Sequence, residues 1–276
     1  MRKTVVTLAF LFAGSIAAAA PVYSTNTFAV TEVAVSAMTN TVIAIPWKGY
    51  TSDGKPTLDI RADRLVSPRN LTAGDIVLLA TNDSKYAAWI LQAVTGGDTG
   101  AMEWAPVTTA QRSDFGGTTI IDHDGDDPAA RGFGLWLIRQ NPAKDGAPVP
   151  FYLYGQWTSG DQTVTIPGGS AEAPMCTLLA DPDVTRSVSL NDLDWPTDSV
   201  STNDTIVIPI DSKATRYCMR SKDNYWYYAQ KVKKGVVMKT EYVKDITVPA
   251  GTGFWYVRRE PTSFDITFKD PAAEDL

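Results

Sequence analysis

Short apolar or alternating runs recur along the chain between turn signals, and helical periodicity is scarce. Such runs include TNTVIAIPW (39–47), GDIVLLA (74–80), KYAAWILQ (85–92), LWLIR (135–139), PFYLYGQW (150–157), DQTVTIP (161–167), DTIVIPI (204–210), NYWYYAQKV (224–232) and FWYVRR (254–259). Between them stand Ser52-Asp53-Gly54, Gly96-Gly97-Asp98, Lys144-Asp145-Gly146 and Pro249-Ala250-Gly251. Many short strands with Gly/Asp turns predict an all-β chain of sandwich or barrel type.

The apolar pattern also repeats. GFGLWLIRQNP (132–142) aligns without a gap on GTGFWYVRREP (251–261). Gly132/Gly251, Gly134/Gly253, Trp136/Trp255, Arg139/Arg258 and Pro142/Pro261 are identical, and Leu135/Phe254, Leu137/Tyr256 and Ile138/Val257 keep their apolar character. Upstream, LTAGDIVLL (71–79) resembles VSTNDTIVI (200–208), Tyr86 resembles Tyr225, and Glu103-Trp104 resembles Glu241-Tyr242. The expected organisation is two tandem, similar β units, residues 24–158 and 160–270, followed by a polar tail, 271–276. The first unit would carry an inserted loop at about 105–131, and the second its own expansion at 211–221. Glycines before a strand permit a left-handed backbone that a Cβ opposes. Alternation sets Trp136 and Ile138 against Leu135, Leu137 and Arg139. Trp136 and Trp255 are expected to anchor the two cores, and the repeated Arg139 and Arg258 to serve folding rather than an anion.

An N-terminal signal, a "GD" strand and a glycine-led W-x-x-R strand near the end of a repeat together make the chain similar to a group of secreted bacterial all-β proteins of unknown function. That resemblance implies export and β architecture, and it carries over no catalytic residue and no ligand.

The chain start agrees with export. Met1-Arg2-Lys3 is basic, Thr4 to Ile16 is mostly apolar, and Ala17–Ala20 supplies small residues for a signal peptidase. Proline is poorly accepted just after a cut, so cleavage is placed after Ala19, making residues 1–19 a signal peptide. The apolar run is shorter than the roughly 20 residues of a membrane span, and no later segment is long and apolar enough to cross. Without Arg2 and Lys3, 23 basic residues face 31 acidic ones, a charge of −8. An acidic chain without basic clusters disfavours nucleic acid and anionic lipid as partners. The mature protein is expected in the periplasm, at the cell surface or outside the cell.

Outside the cytoplasm the two cysteines, Cys176 and Cys218, are candidates for one disulfide, contributing about 3–4 kcal/mol by restricting the unfolded chain. The alternative is two buried thiols. The run DHDGDD (122–127) holds the sole histidine. Asp122, Asp124 and Asp126 offer hard oxygens for Ca²⁺, but counting from Asp122 the sixth and twelfth places hold Asp127 and Phe133, not the glycine and glutamate of the familiar loop. One histidine without nearby cysteine is a poor zinc set. His123 has no nameable catalytic partner and no G-x-S-x-G motif is present, so no catalytic residue is assigned and a solvated loop is expected. NYWYY (224–228) is the densest aromatic cluster; Trp226, Tyr227 and Tyr225 are candidate ligand-binding residues, for sugar rings or for a partner, against a plain inter-sheet contact. The leading expectation is an exported, non-enzymatic structural or binding protein without a cofactor. The alternatives are a carbohydrate-binding protein using the second unit's aromatics, with or without Ca²⁺, and then a secreted hydrolase.

Overall fold

The computed structural model describes residues 28–35, 40–45, 49–50, 56–57, 69–80, 86–94, 101–107, 134–140, 149–156, 160–183, 185–209, 215–234 and 237–269. Among them the chain is all-β, with nineteen strands and no helix. The first half forms β1 (Phe28–Val35), β2 (Asn40–Ala44), β3 (Gly49–Tyr50), β4 (Pro56–Thr57), β5 (Ile76–Ala80), β6 (Tyr86–Ala93), β7 (Met102–Pro106), β8 (Gly134–Ile138) and β9 (Val149–Gln156). The second forms β10 (Gln162–Ile166), β11 (Met175–Ala180), β12 (Val188–Ser189), β13 (Thr205–Pro209), β14 (Thr215–Arg220), β15 (Trp226–Lys234), β16 (Val237–Val243), β17 (Thr247–Val248), β18 (Gly253–Arg258) and β19 (Phe264–Phe268).

Alternation decides which side of each strand turns inward. In β13, Ile206 and Ile208 are buried; in β10, Val164 and Ile166 are buried while Thr163 and Thr165 are exposed. A five-stranded sheet runs β2-β8-β5-β6-β7, and a six-stranded sheet runs β11-β18-β13-β14-β15-β16. Each half adds an antiparallel pair, β1 with β9 and β10 with β19. Phe151 and Leu153 of β9 share one core with Leu135, Leu137 and Trp89. Ile166, Phe264 and Ile266 share another with Ile206, Trp226 and Tyr256. A larger sheet thus shares its core with a two-stranded pair in each half.

A buried carboxylate staples each of the two larger sheets. Asp75 accepts the backbone N–H groups of Thr72 and Gln140, each at 2.9 Å, and its Oδ2 lies 3.7 Å from Nε of Arg139. Asp204 accepts those of Ser201 (3.0 Å) and Arg259 (2.9 Å), the Tyr256 hydroxyl (2.7 Å) and Nη1 of Arg258. Arg258 also donates to the carbonyls of Ser199 and Thr262. All four charged side chains are buried; Asp204 and Arg258 are hydrogen-bonded to each other and to their surroundings, whereas Arg139 faces Asp75 as an ion pair with its Nε and Nη1 making no hydrogen bond. Arg139 and Arg258 therefore lie inside the fold, paired across it.

The halves meet through the other faces of β8 and β18. The Trp136 and Trp255 rings stand edge to face with centroids 5.5 Å apart, and Trp255 Nε1 donates to the Tyr86 hydroxyl at 3.3 Å. Ala44 N–H donates to the Gly251 carbonyl at 3.1 Å, beside a bridge between Ile43 and Thr252. The tryptophans were expected to anchor separate cores; instead they are half-buried and pack on each other. Alternation explains this: Leu135 and Leu137 take the inward side of β8, which turns Trp136 toward the other half.

The glycine contacts are reciprocal. A Cβ on Gly134 would come within 2.7 Å of Leu178, and one on Gly253 within 2.8 Å of Val42 and 2.5 Å of the Leu179 carbonyl. Val42 lies opposite Trp136 in its ladder, as Leu178 lies opposite Trp255. Each half therefore presents a glycine to the aliphatic side chain that the other half holds at the matching place. Gly251, with φ +71°, does adopt the left-handed backbone expected before the strand.

Candidate functional site

Several expected sites fall outside the described residues: the leader 1–19, His123, and Asp122, Asp124 and Asp126. Among the described residues no group of three or more His, Cys, Asp or Glu is placed to hold a metal ion.

Cys176 and Cys218 are free thiols, so the expected disulfide is not formed. Strand order explains why. Cys176 lies on β11 and Cys218 on β14, with β18 and β13 between them. At about 4.8 Å per strand step the gap is roughly 14 Å, far beyond the roughly 7 Å a bridge tolerates. Burial pushes the Cys218 thiol up to about 12 and raises that of Cys176, with Arg259 opposing the latter.

Trp226 does not belong to a surface platform. Its side chain is fully buried, stacked edge to face on Trp195 and Tyr256 at 5.4 and 5.9 Å, with the Arg220 guanidinium 5.5 Å from its ring. Its backbone is held by Asn191, which accepts the Trp226 N–H at 2.6 Å and donates to the carbonyls of Trp226 and Lys244. Arg220 stands directly opposite Trp226 in the ladder and shares its inward face. Tyr225 and Tyr227 lie on the other face, half-buried.

That outer face carries residues the sequence reading passed over. β14 alternates: Cys218 and Arg220 are buried, while Tyr217 and Met219 stand 64% and 37% exposed. Met219 lies opposite Tyr227. Tyr227 packs edge to face on Tyr225 and on Tyr242, at 6.1 and 5.6 Å, and Tyr242 is 67% exposed. Lys244 caps the strip, its Nζ 3.7 Å from the Tyr225 ring centre. Hydrogen bonds, first with Ser221 and then with Lys244, hold the Tyr225 hydroxyl below its usual pKa. Strict alternation along TRYCMR was the available signal for Tyr217 and Met219; reading 211–221 as an expansion concealed it.

The strip sits at the root of an arm. β14 pairs with β15 only at Met219–Tyr227 and Arg220–Trp226, whereas β15 and β16 stay paired from Tyr228–Val243 out to Lys234–Val237. Beyond Tyr228 the hairpin leaves the sheet. Ala229, Gln230, Lys231 and Lys233 on β15, with Met238, Lys239, Thr240 and Tyr242 on β16, are exposed. Ala229, Lys231, Lys233, Met238, Thr240 and Tyr242 share one face, which is exposed throughout; on the other, Gln230 and Lys239 are exposed while Tyr228, Val232, Glu241 and Val243 are half-buried. A two-stranded hairpin is marginally stable by itself.

This edge carries exposed tyrosines, methionines and lysines. Comparison with models of protein families, with curated proteins and with solved structures finds no match.

Proposed function

We propose that the protein is an exported, non-enzymatic binding component built from two tandem β units, and that the second unit's arm and tyrosine strip form its contact surface. The leader-like residues 1–19 support export. The common strand order β2-β8-β5-β6-β7 and β11-β18-β13-β14-β15, the matched carboxylate staples and the reciprocal glycine contacts support duplication.

On this reading the ladders revise the upstream matches. Leu91 lies opposite Trp104 as Arg220 lies opposite Trp226, so Trp104 corresponds to Trp226 rather than to Tyr242, and β14 rather than the aromatic strand corresponds to β6. The step from Trp104 to Gly132 is then 28 residues and that from Trp226 to Gly251 is 25. On these matches the first unit's segment is three residues longer than its counterpart, which holds β15, β16 and β17.

The observation that carries the function is the arm, with one face exposed throughout and rooted beside the exposed Tyr217 and Tyr242. A carbohydrate ligand remains the second reading, resting on the exposed Tyr217 and Tyr242 rings. Sugar stacking favours rings that present a common flat face, whereas Tyr227 and Tyr242 stand at 82° to each other, which favours a protein partner. The test places a photo-reactive residue at Tyr242, with Thr185 as exposed control, in protein exported by its own cells. Protein adducts are expected from position 242 and not from 185. No adduct from 242 would remove the reading, and binding on a glycan panel lost in Tyr217→Ala would replace it with the sugar reading.

A further inference from the structure

The arm ends the six-stranded sheet with β16, whose outer edge pairs with no strand among the described residues. An unpaired edge is a template for another strand, and proteins block such edges with proline, bulges or unmatched charge. β16 reads VMKTEYV; it is seven residues long and holds no proline. Its one lysine is matched by its one glutamate about a central Thr240. If the strand is laid antiparallel against a second copy of itself with Thr240 facing Thr240, Lys239 faces Glu241 and Met238 faces Tyr242, each twice. The faces agree as well. Residues 239 and 241 share one face of the strand and residues 238 and 242 the other, so every directly opposed pair lies on one side of the joined sheet. Met238 and Tyr242, 58% and 67% exposed, would each gain an apolar neighbour.

We infer that two copies of this chain join edge to edge along β16, antiparallel about Thr240, so that their six-stranded sheets run on as one. The inference rests on the binding role of the arm proposed above and names a second copy as the partner. The joined strands give the exposed half of the arm the neighbour that a two-stranded ribbon lacks. One strand edge buries less than the roughly 1,000 Å² of a stable interface, so the dimer dissociates on dilution. Lys239 repels edges that lack a matching acid, which selects the chain's own copy over other strands.

The test is sedimentation velocity of the purified mature chain across a dilution series, with charge reversals. Lys239→Glu sets Glu against Glu and Glu241→Lys sets Lys against Lys, so each variant alone is expected to associate at least about tenfold more weakly. Mixing the two restores both oppositely charged pairs and is expected to restore the dimer, as is the double reversal in one chain. Recovery on mixing cannot come from a folding defect. A wild-type chain that stays monomeric at all concentrations, or a dimer indifferent to every reversal, overturns the inference. If adducts at position 242 persist while the purified chain is monomeric, the arm binds a different molecule, and the proposed function survives without its self-association.

Discussion

Replacing Asp204 by asparagine keeps the shape of the side chain and removes its charge. In the native fold this carboxylate accepts four donors: two backbone N–H groups, the Tyr256 hydroxyl and Nη1 of Arg258. Both partners of the ion pair are 1% exposed or less. An amide oxygen cannot serve all four donors, and the new amide N–H groups point at donors instead of acceptors. Arg258 is also left as a buried cation without its counter-charge, a loss that typically costs about 3–5 kcal/mol. In a chain of this size each kcal/mol lowers Tm by about 2–4 °C, so Asp204→Asn should melt roughly 6–20 °C below wild type. Asp75→Asn provides an internal scale. Asp75 serves two backbone donors, and its arginine stands off at 3.7 Å, so its loss should be nearer about 1–3 kcal/mol. Adding Arg258→Met to Asp204→Asn removes the stranded cation and should recover at least about 1 kcal/mol. Urea titration followed by circular dichroism, with m unchanged, reads all three. The reasoning fails if Asp204→Asn melts within a degree of wild type, or if it equals Asp75→Asn.

Three further outcomes follow from the packing. Alkylation of the denatured, unreduced chain should add two labels, one each at Cys176 and Cys218, while the native chain at pH 8 leaves Cys218 unlabelled; no label in denaturant would mean a bridge had formed. Burial pushes the Tyr86 hydroxyl up to about 12 and raises Tyr256 further, with Asp204 adding to the shift. Both groups favour the neutral form in the fold, so their stabilisation is complete below pH 10 and is lost as pH rises from there toward 12 and beyond. Phenolate absorbance should therefore show at least two of the eleven tyrosines resisting ionisation above pH 10 until the fold opens, and smooth ionisation of all eleven near pH 10 would contradict it. Gly253→Ala drives a methyl against the Leu179 carbonyl and should cost about 1–3 kcal/mol. Gly134→Ala meets only the movable Leu178 side chain and should cost less; the reverse ranking in urea titrations would refute this contact.

The strands were legible because a sheet with one buried face writes its period into the chain, and TIVIP, GLWLI and QTVTI fold as they read. Arg139 and Arg258 were visible as repeated letters. Their carboxylates were not visible as partners, since a pairing 54 residues apart leaves no trace in local periodicity. The cysteines show the same limit: their spacing carries no information about strand order, and strand order is what separates them. NYWYY marks a different failure. Alternation sorts its rings correctly into Tyr225 with Tyr227 and Trp226 with Tyr228, but both sets are aromatic, so nothing in the run tells which set faces inward. Trp195 and Tyr256, far away in sequence, decide it. The arm was hidden for a related reason, because a strand's solitude is a property of its neighbours.

The reciprocal glycines bear on how such a chain can change over time. A bulkier residue at 134 is resisted by Leu178 across the seam, and one at 253 by Val42 across it and by the Leu179 carbonyl of its own half. Each half therefore sets part of the room available to the other at the seam. The strand that carries Gly134 and Trp136 and the strand that carries Gly253 and Trp255 are thus the two that set the spacing between the halves.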